Sequence, residues 1–210
     1  MKVKICGMTM MDNILEVAEL QPDYLGFIFY PPSPRYMRKA LKPAQLRNLK
    51  SGAVKTGVFV NSGYDEIIFL LEEYELQAVQ LHGDESPDFC RKIFHSGVEV
   101  IKAFRVNDKF DFQRLEEYQP FCKYFLFDTH AEQKGGSGKK FDWDILDKYL
   151  LKHPFFLSGG ITANDALNIK NINHSALAGL DLNSRFEIKP GIKNISLLKH
   201  FIKELRERKS

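Results

Sequence analysis

The sequence predicts an α/β fold: a single (βα)8 barrel over residues 1–210. Three observations predict it. Strand-like and helix-like stretches alternate eight times along the chain. The strands are short and apolar, as expected for a parallel sheet covered on both faces. The repeat averages about 26 residues in a chain of 210, which suits the compact end of a closed eight-fold barrel. A dinucleotide-binding sheet fits less well, because no GxGxxG turn follows the first strand.

The first unit, Lys2-Val3-Lys4-Ile5-Cys6-Gly7-Met8-Thr9, organises the rest. Val3–Cys6 reads as a strand, and Gly7 permits a sharp turn after it. Asp12 or Asn13 reads as the N-cap of a helix to Leu20. The further expected strands are Tyr24–Phe29, Lys55–Val60, Ala78–Leu81, Val98–Phe104, Tyr124–Phe127, Phe155–Leu157 and Ala176–Leu180. The further expected helices are Pro43–Leu49, Tyr64–Tyr74, Ser86–Phe94, Phe110–Tyr118, Trp143–Leu151, Ala163–Lys170 and Ile195–Glu207. Neither a linker nor a second domain is visible.

Composition narrows the function. Thirty basic and 27 acidic side chains leave a net charge of +3, too mild to argue for nucleic acid. The excess lies partly in the tail 203–209, read as a solvated helix end. Three widely spaced cysteines form neither a disulfide framework nor a zinc pattern, so a reducing, cytoplasmic setting is expected. No signal peptide, transit peptide or 18-residue apolar run is present, and a freestanding soluble chain is expected. The His, Asp and Glu residues have no metal-ligand spacing, and no Walker loop or serine elbow occurs.

Reactive groups of a parallel barrel gather at the C-terminal ends of its strands. Cys6 ends the first strand. Alternation puts Lys4 and Cys6 on one face, with Val3 and Ile5 on the other. A buried packing cysteine is the plainer alternative. Asp128 ends strand six, whose Phe125 and Phe127 should face the helices, leaving Asp128 toward the interior. A carboxyl group at a partly desolvated strand end is a candidate general acid; a loop-pinning aspartate is the alternative. Gln80 and His82 repeat this geometry on strand four, and Asp181 on strand eight.

Two long loops follow strands. Pro31-Pro32-Ser33-Pro34-Arg35 forms a stiff arm ending in a guanidinium, suited to a planar carboxylate or to an ordinary surface position. Gly135-Gly136-Ser137-Gly138, flanked by Lys134, Lys139 and Lys140, can converge N–H groups on an anion. Ser158-Gly159-Gly160 follows strand seven. Asp181-Leu182-Asn183-Ser184 follows strand eight, where a helical turn can begin at Asn183 or Ser184. Together these turns favour a phosphate site. For Gly159 and Gly160 the alternative is a plain tight turn.

These residues resemble the phosphoribosylanthranilate isomerase family. The resemblance rests on Lys4-Ile5-Cys6-Gly7-Met8-Thr9, Ser33-Pro34-Arg35, Gln80-Leu81-His82-Gly83, Asp128-Thr129, Gly135–Gly138 with Phe141-Asp142-Trp143, and Ser158-Gly159-Gly160-Ile161. It runs from residue 2 to about residue 195. It implies a (βα)8 TIM barrel of tryptophan biosynthesis. It also implies a cofactor-free Amadori rearrangement of N-(5-phosphoribosyl)anthranilate to 1-(2-carboxyphenylamino)-1-deoxyribulose 5-phosphate. By that resemblance Cys6 is the general base and Asp128 the general acid. Arg35 would hold the anthranilate carboxylate. Gly136, Ser137, Gly159, Gly160, Asn183, Ser184 and Arg185 would hold the phosphate, with Lys4, Gln80, His82 and Asp181 also in the pocket. We add that Lys4, on the face of Cys6, favours its thiolate. The acid must start neutral and the base charged, which calls for opposite tuning in one pocket.

One run departs from the family pattern. Asn183-Ser184-Arg185-Phe186-Glu187 carries Arg185 where the family usually shows glycine. Either the turn is changed, or Arg185 points at the phosphate. Pro190-Gly191-Ile192-Lys193 then resumes the pattern. Two other readings remain: a related barrel isomerase of another phosphorylated ribose derivative, and a non-catalytic barrel binding such a metabolite. The expected partners are the phosphorylated substrate and no nucleic acid or membrane, with the chain a monomer or homodimer. Cys90 and Cys122 read as packing residues.

Overall fold

The structure, a computed structural model, describes residues 1–129 and 143–207. Eight parallel strands close in chain order: β1 (Lys2–Cys6), β2 (Tyr24–Ile28), β3 (Val54–Phe59), β4 (Ala78–Leu81), β5 (Glu99–Arg105), β6 (Tyr124–Asp128), β7 (Phe155–Ser158) and β8 (Leu177–Leu182). β8 pairs back onto β1, with Lys4 opposite Asp181. On the other side of β1, Cys6 lies opposite Gly26.

Alternation along these strands builds two cores. Outward residues such as Val3, Ile5, Phe27, Phe125 and Phe127 pack beneath the helices. Inward residues Tyr24, Ile101, Ala103, Tyr124, Leu126 and Phe156 fill the barrel below the site. Phe156 sits edge-on to both Tyr24 and Tyr124, with centroids 5.5 and 5.0 Å away. Each such aromatic pair adds about 0.5–1.5 kcal/mol beyond its burial. This plug floors the cavity, so ligand access is from the C-terminal mouth.

The α-helices are α1 (Met11–Glu19), α2 (Pro43–Arg47), α3 (Tyr64–Tyr74), α4 (Pro87–Phe94), α5 (Ala166–Lys170) and α6 (Ile195–Arg206). The other two crossovers, expected as α-helices, are 3₁₀ segments at Gln113–Phe121 and Trp143–Lys148. In the first, Pro120 has no N–H to give, and its ring would crowd the carbonyl four residues back. Asp111 accepts from the Gln113 N–H at 2.9 Å, so the segment starts three residues later than expected. In the second, the Tyr149 N–H bonds the Leu146 carbonyl at 2.9 Å and the chain leaves the helix at exposed Leu150.

Three further differences bear on the site. α1 starts at Met11 with no side-chain cap, so neither Asp12 nor Asn13 is its N-cap. Asn13 is buried instead, and its amide pairs with both backbone groups of Lys193 at 3.0 and 2.7 Å. β8 continues to Leu182, two residues beyond expectation, because Asp181 is paired inside the barrel rather than breaking the strand. A short antiparallel hairpin, Glu187–Lys189 with Ile192–Lys193, precedes α6. Gly191 turns it with φ +87°. The Gly191 carbonyl accepts from the Thr9 N–H at 3.0 Å, tying the hairpin to the loop after Cys6. Among the described residues no helix is long and apolar enough to cross a membrane.

Candidate active site

A cavity of about 230 Å³ opens at the C-terminal ends of the strands. Cys6, Arg35, Gln80, His82, Asp128, Ser158, Gly159, Gly160, Asp181, Asn183, Ser184 and Arg185 all line it. The anticipated thiol and carboxyl group therefore share one opening. Gly136 and Ser137, with the rest of 130–142, lie outside the described residues. Among the described residues no group of His, Cys, Asp or Glu could hold a metal ion.

Cys6 is 3% exposed and ends β1 as expected. Gly26 makes its room: a Cβ there would lie 2.7 Å from the Cys6 sulfur and 3.0 Å from the Lys4 nitrogen. Lys4 is fully buried, and its Nζ donates to Asp181 Oδ1 at 2.8 Å. Burial pushes the Cys6 thiol above its ordinary pKa; Lys4 pulls it down, Asp181 pushes it up, and Lys193 pulls it down further. Burial outweighs the two ammonium groups, so the net effect favours the neutral thiol. Burial also works against the Lys4 ammonium, but Asp181 and then Cys6 outweigh it and raise its pKa.

Asp128 ends β6, partly exposed at the mouth. Its Oδ2 lies 3.4 Å from His82 Nε2, and His82 Nδ1 lies 2.7 Å from Gln80 Nε2. With the Gln80 amide oriented to donate to Nδ1, the proton of a neutral ring is assigned to Nε2, facing the carboxyl group. Gln80 thus fixes His82, and His82 reaches Asp128. Beneath this wall, buried Lys102 donates to the Gly83 carbonyl at 2.8 Å and to Glu85 Oε2 at 3.1 Å. Glu85 in turn accepts from the Gly83 and Asn61 N–H groups at 2.9 Å each. This brace sets the loop that carries His82.

Arg35 does reach the mouth. The Ser33 hydroxyl accepts from its N–H at 3.1 Å, which bends the proline arm. A Cβ on Gly7, whose φ is +79°, would lie 2.7 Å from Arg35 Cδ, so the glycine lets the arm cross the loop after β1. The guanidinium is not bare. Its Nε and Nη2 both donate to Glu187, with Nε 2.9 Å from Oε1. Glu187 also accepts from Lys193 Nζ at 2.8 Å and from the Gly191 N–H at 3.1 Å. Lys193 is fully buried and donates to Asn183 Oδ1 at 2.8 Å. Burial disfavours the Glu187 carboxylate, but Arg35 and Lys193 outweigh it and hold its pKa below the ordinary value.

At the other side, Gly159 and Gly160 have φ of +93° and +65°, conformations that L side chains rarely adopt. Thr129 pins the turn: its hydroxyl donates to the Ser158 carbonyl at 2.8 Å. Ser184–Phe186 forms the short 3₁₀ turn expected after β8. Arg185 is absent from the residues with positive φ, so the turn accepts a side chain without backbone strain. Arg185 is exposed and lines the cavity beside Asn183 and Ser184.

The sequence reading missed Glu187, Lys193, Gly26 and the Lys102–Glu85 brace. Only Gly26 left a signal: a glycine inside an apolar strand marks a close approach.

The sequence model of the family described as N-(5'-phosphoribosyl)anthranilate (PRA) isomerase matches residues 3–204. The N-(5'-phosphoribosyl)anthranilate isomerase of Parabacteroides distasonis is 44% identical over 206 residues, covering 98% of this chain and 93% of that protein. That of Phocaeicola vulgatus is 39% identical and covers 99% of each. The crystal structure of the Thermotoga maritima enzyme superposes with a TM-score of 0.81 at 34% identity, covering 98% of both chains. A phosphoribosyl anthranilate isomerase in complex with reduced 1-(o-carboxyphenylamino)-1-deoxyribulose 5-phosphate superposes with a TM-score of 0.80 at 31% identity, covering 98% of both chains.

Proposed function

The chain belongs to the N-(5'-phosphoribosyl)anthranilate isomerase family, and from that premise we propose how its own residues carry the rearrangement. It is an aldose–ketose isomerase of tryptophan biosynthesis. Asp128 is the general acid and Cys6 the general base. The observation that carries this reading is that Cys6 and Asp128 line one cavity together with Arg35 and the turn Gly159-Gly160.

Asp128 gives its proton to the ribose ring oxygen. The bond from C1 to that oxygen breaks, and the anilino nitrogen supplies the electron pair of the resulting iminium. As Asp128 becomes a carboxylate, the Nε2–H of His82 is placed to donate to it. The Cys6 thiolate then takes the C2 proton, leaving an enolamine that tautomerises to the ketone. Iminium charge acidifies that proton. A buried thiol would be largely protonated, so Lys4 and Lys193 set the thiolate available for reaction.

Arg35 takes the anthranilate carboxylate through N–H groups that Glu187 leaves free. Gly159, Gly160, Asn183, Ser184 and Arg185 hold the phosphate, with Gly136 and Ser137 as further candidates. Two anionic handles position the reacting carbons between them, so remote binding energy serves the chemical step. The reaction needs no cofactor. Three buried free thiols suit a reducing cytoplasm. The substrate is the small-molecule partner, and the assembly is a monomer or a homodimer.

Fresh N-(5-phosphoribosyl)anthranilate, followed by loss of its anthranilate fluorescence, tests the reading. Turnover to the ribulose product supports it. Binding without turnover would favour a non-catalytic barrel instead.

A further inference from the structure

The carboxylate end of the cavity carries a charge balance that the reaction alone does not demand. Arg35 presents a cation, and buried Glu187 answers it through two of its nitrogens. Lys193, also buried, answers Glu187 in turn. The three sum to a single positive charge. Glu187 occupies the side-on edge of the guanidinium, Nε and Nη2. One N–H of Nη1 and the second N–H of Nη2 remain, parallel to each other, as an end-on pair.

We infer that Glu187 is a specificity-determining residue, restricting this end of the cavity to a planar monoanion. The inference rests on the reading that Arg35 takes the anthranilate carboxylate. A carboxylate on the end-on edge brings the cluster to neutrality. A phosphate-like dianion leaves it negative, beside a carboxylate that cannot move away into water because it is buried and held by three donors. Like charges brought together without solvent are strongly disfavoured. The turn Gly159-Gly160, with Ser184 and Arg185, has no such answering carboxylate: it supplies N–H groups, a hydroxyl and a cation, whereas Asn183 accepts from Lys193 and adjoins the cluster. Glu187 therefore distinguishes the two ends of a substrate with one carboxylate and one phosphate. It also rejects a substrate bearing two phosphates.

Two ligands measure this: the reduced product of the rearrangement, and the same molecule with a phosphonate in place of its carboxylate. Calorimetry at a pH where the phosphonate is a dianion gives the ratio of their affinities. The unaltered chain should favour the carboxylate. Glu187→Gln keeps the size of the side chain and removes its charge, and should shift the ratio toward the phosphonate by at least about tenfold. Lys193→Met should shift it the opposite way. The double variant has the original net charge and should return the ratio to within about threefold. A role limited to holding Arg35 in place would weaken both ligands together. A ratio unchanged in every folded variant overturns the inference alone. Failure of the unaltered chain to bind either ligand overturns this inference and the functional reading together. Each single variant tests the sign independently, so loss of one fold leaves the other decisive.

Discussion

The ammonium of Lys4 lies 2.8 Å from the carboxylate of Asp181, both buried, and the same ammonium borders the sulfur of Cys6 across Gly26. The pair carries opposite signs toward one thiol. Lys4 lowers the Cys6 pKa and Asp181 raises it. Lys4→Met removes the lowering influence, so the pH–rate limb assigned to Cys6 should move alkaline and activity at neutral pH should fall. Asp181→Asn should move that limb toward acid. An unchanged profile in both rules out the pair's control of the thiol. Lys4→Met also strands a buried carboxylate, and urea unfolding should show a loss of about 3–5 kcal/mol.

Gly26 leaves no space to spare. A methyl group there would approach the Cys6 sulfur to 2.7 Å and the Cys6 Cα to 3.1 Å. Gly26→Ala should displace the thiol and lower kcat by about 100-fold, since a misplacement of about 1 Å costs that much. Binding of the reduced product should persist. Wild-type kcat in a folded variant would show that the sulfur has freedom the packing denies it.

Arg35→Ala leaves Glu187 still paired to Lys193 and to the Gly191 N–H, so no buried carboxylate is orphaned. Stability should fall by about 1 kcal/mol or less. Catalytic efficiency should fall by about 100-fold or more, the effect of removing a charge-assisted bidentate contact. Comparable losses in both measurements would remove the anchoring role.

Arg185 sits exposed on the 3₁₀ turn after β8, where it lines the cavity at the proposed phosphate side. Arg185→Gly should raise KM by about three- to tenfold, with kcat little changed, as expected for loss of a solvent-screened phosphate contact. A KM that stays constant assigns Arg185 to the surface.

The barrel was legible because its signals are local. Eight apolar strands, their turns and the inward parity of Lys4, Cys6, Gln80 and Asp128 follow from alternation and chain order alone. The helices were less legible where one residue overrides periodicity: Pro120 turns an apparent amphipathic helix into a 3₁₀ segment. Asp181 looked like the end of a strand because its partner, Lys4, is 177 residues away. The same distance effect hid Glu187 and Lys193. Each reads as an ordinary surface charge, and their burial depends on Arg35 arriving from a loop 152 residues earlier. Sequence thus pointed to the proposed acid and base, while the charges around them are brought together by closure of the barrel.

The central claim is that a thiol and a carboxyl group work as a pair across one cavity. Steady-state turnover of N-(5-phosphoribosyl)anthranilate by Cys6→Ala and by Asp128→Ala, in variants that still bind the reduced product, tests it most directly. Each should lose about 10²–10⁴-fold in kcat, the usual worth of a positioned acid or base. Wild-type turnover in both variants would contradict the account.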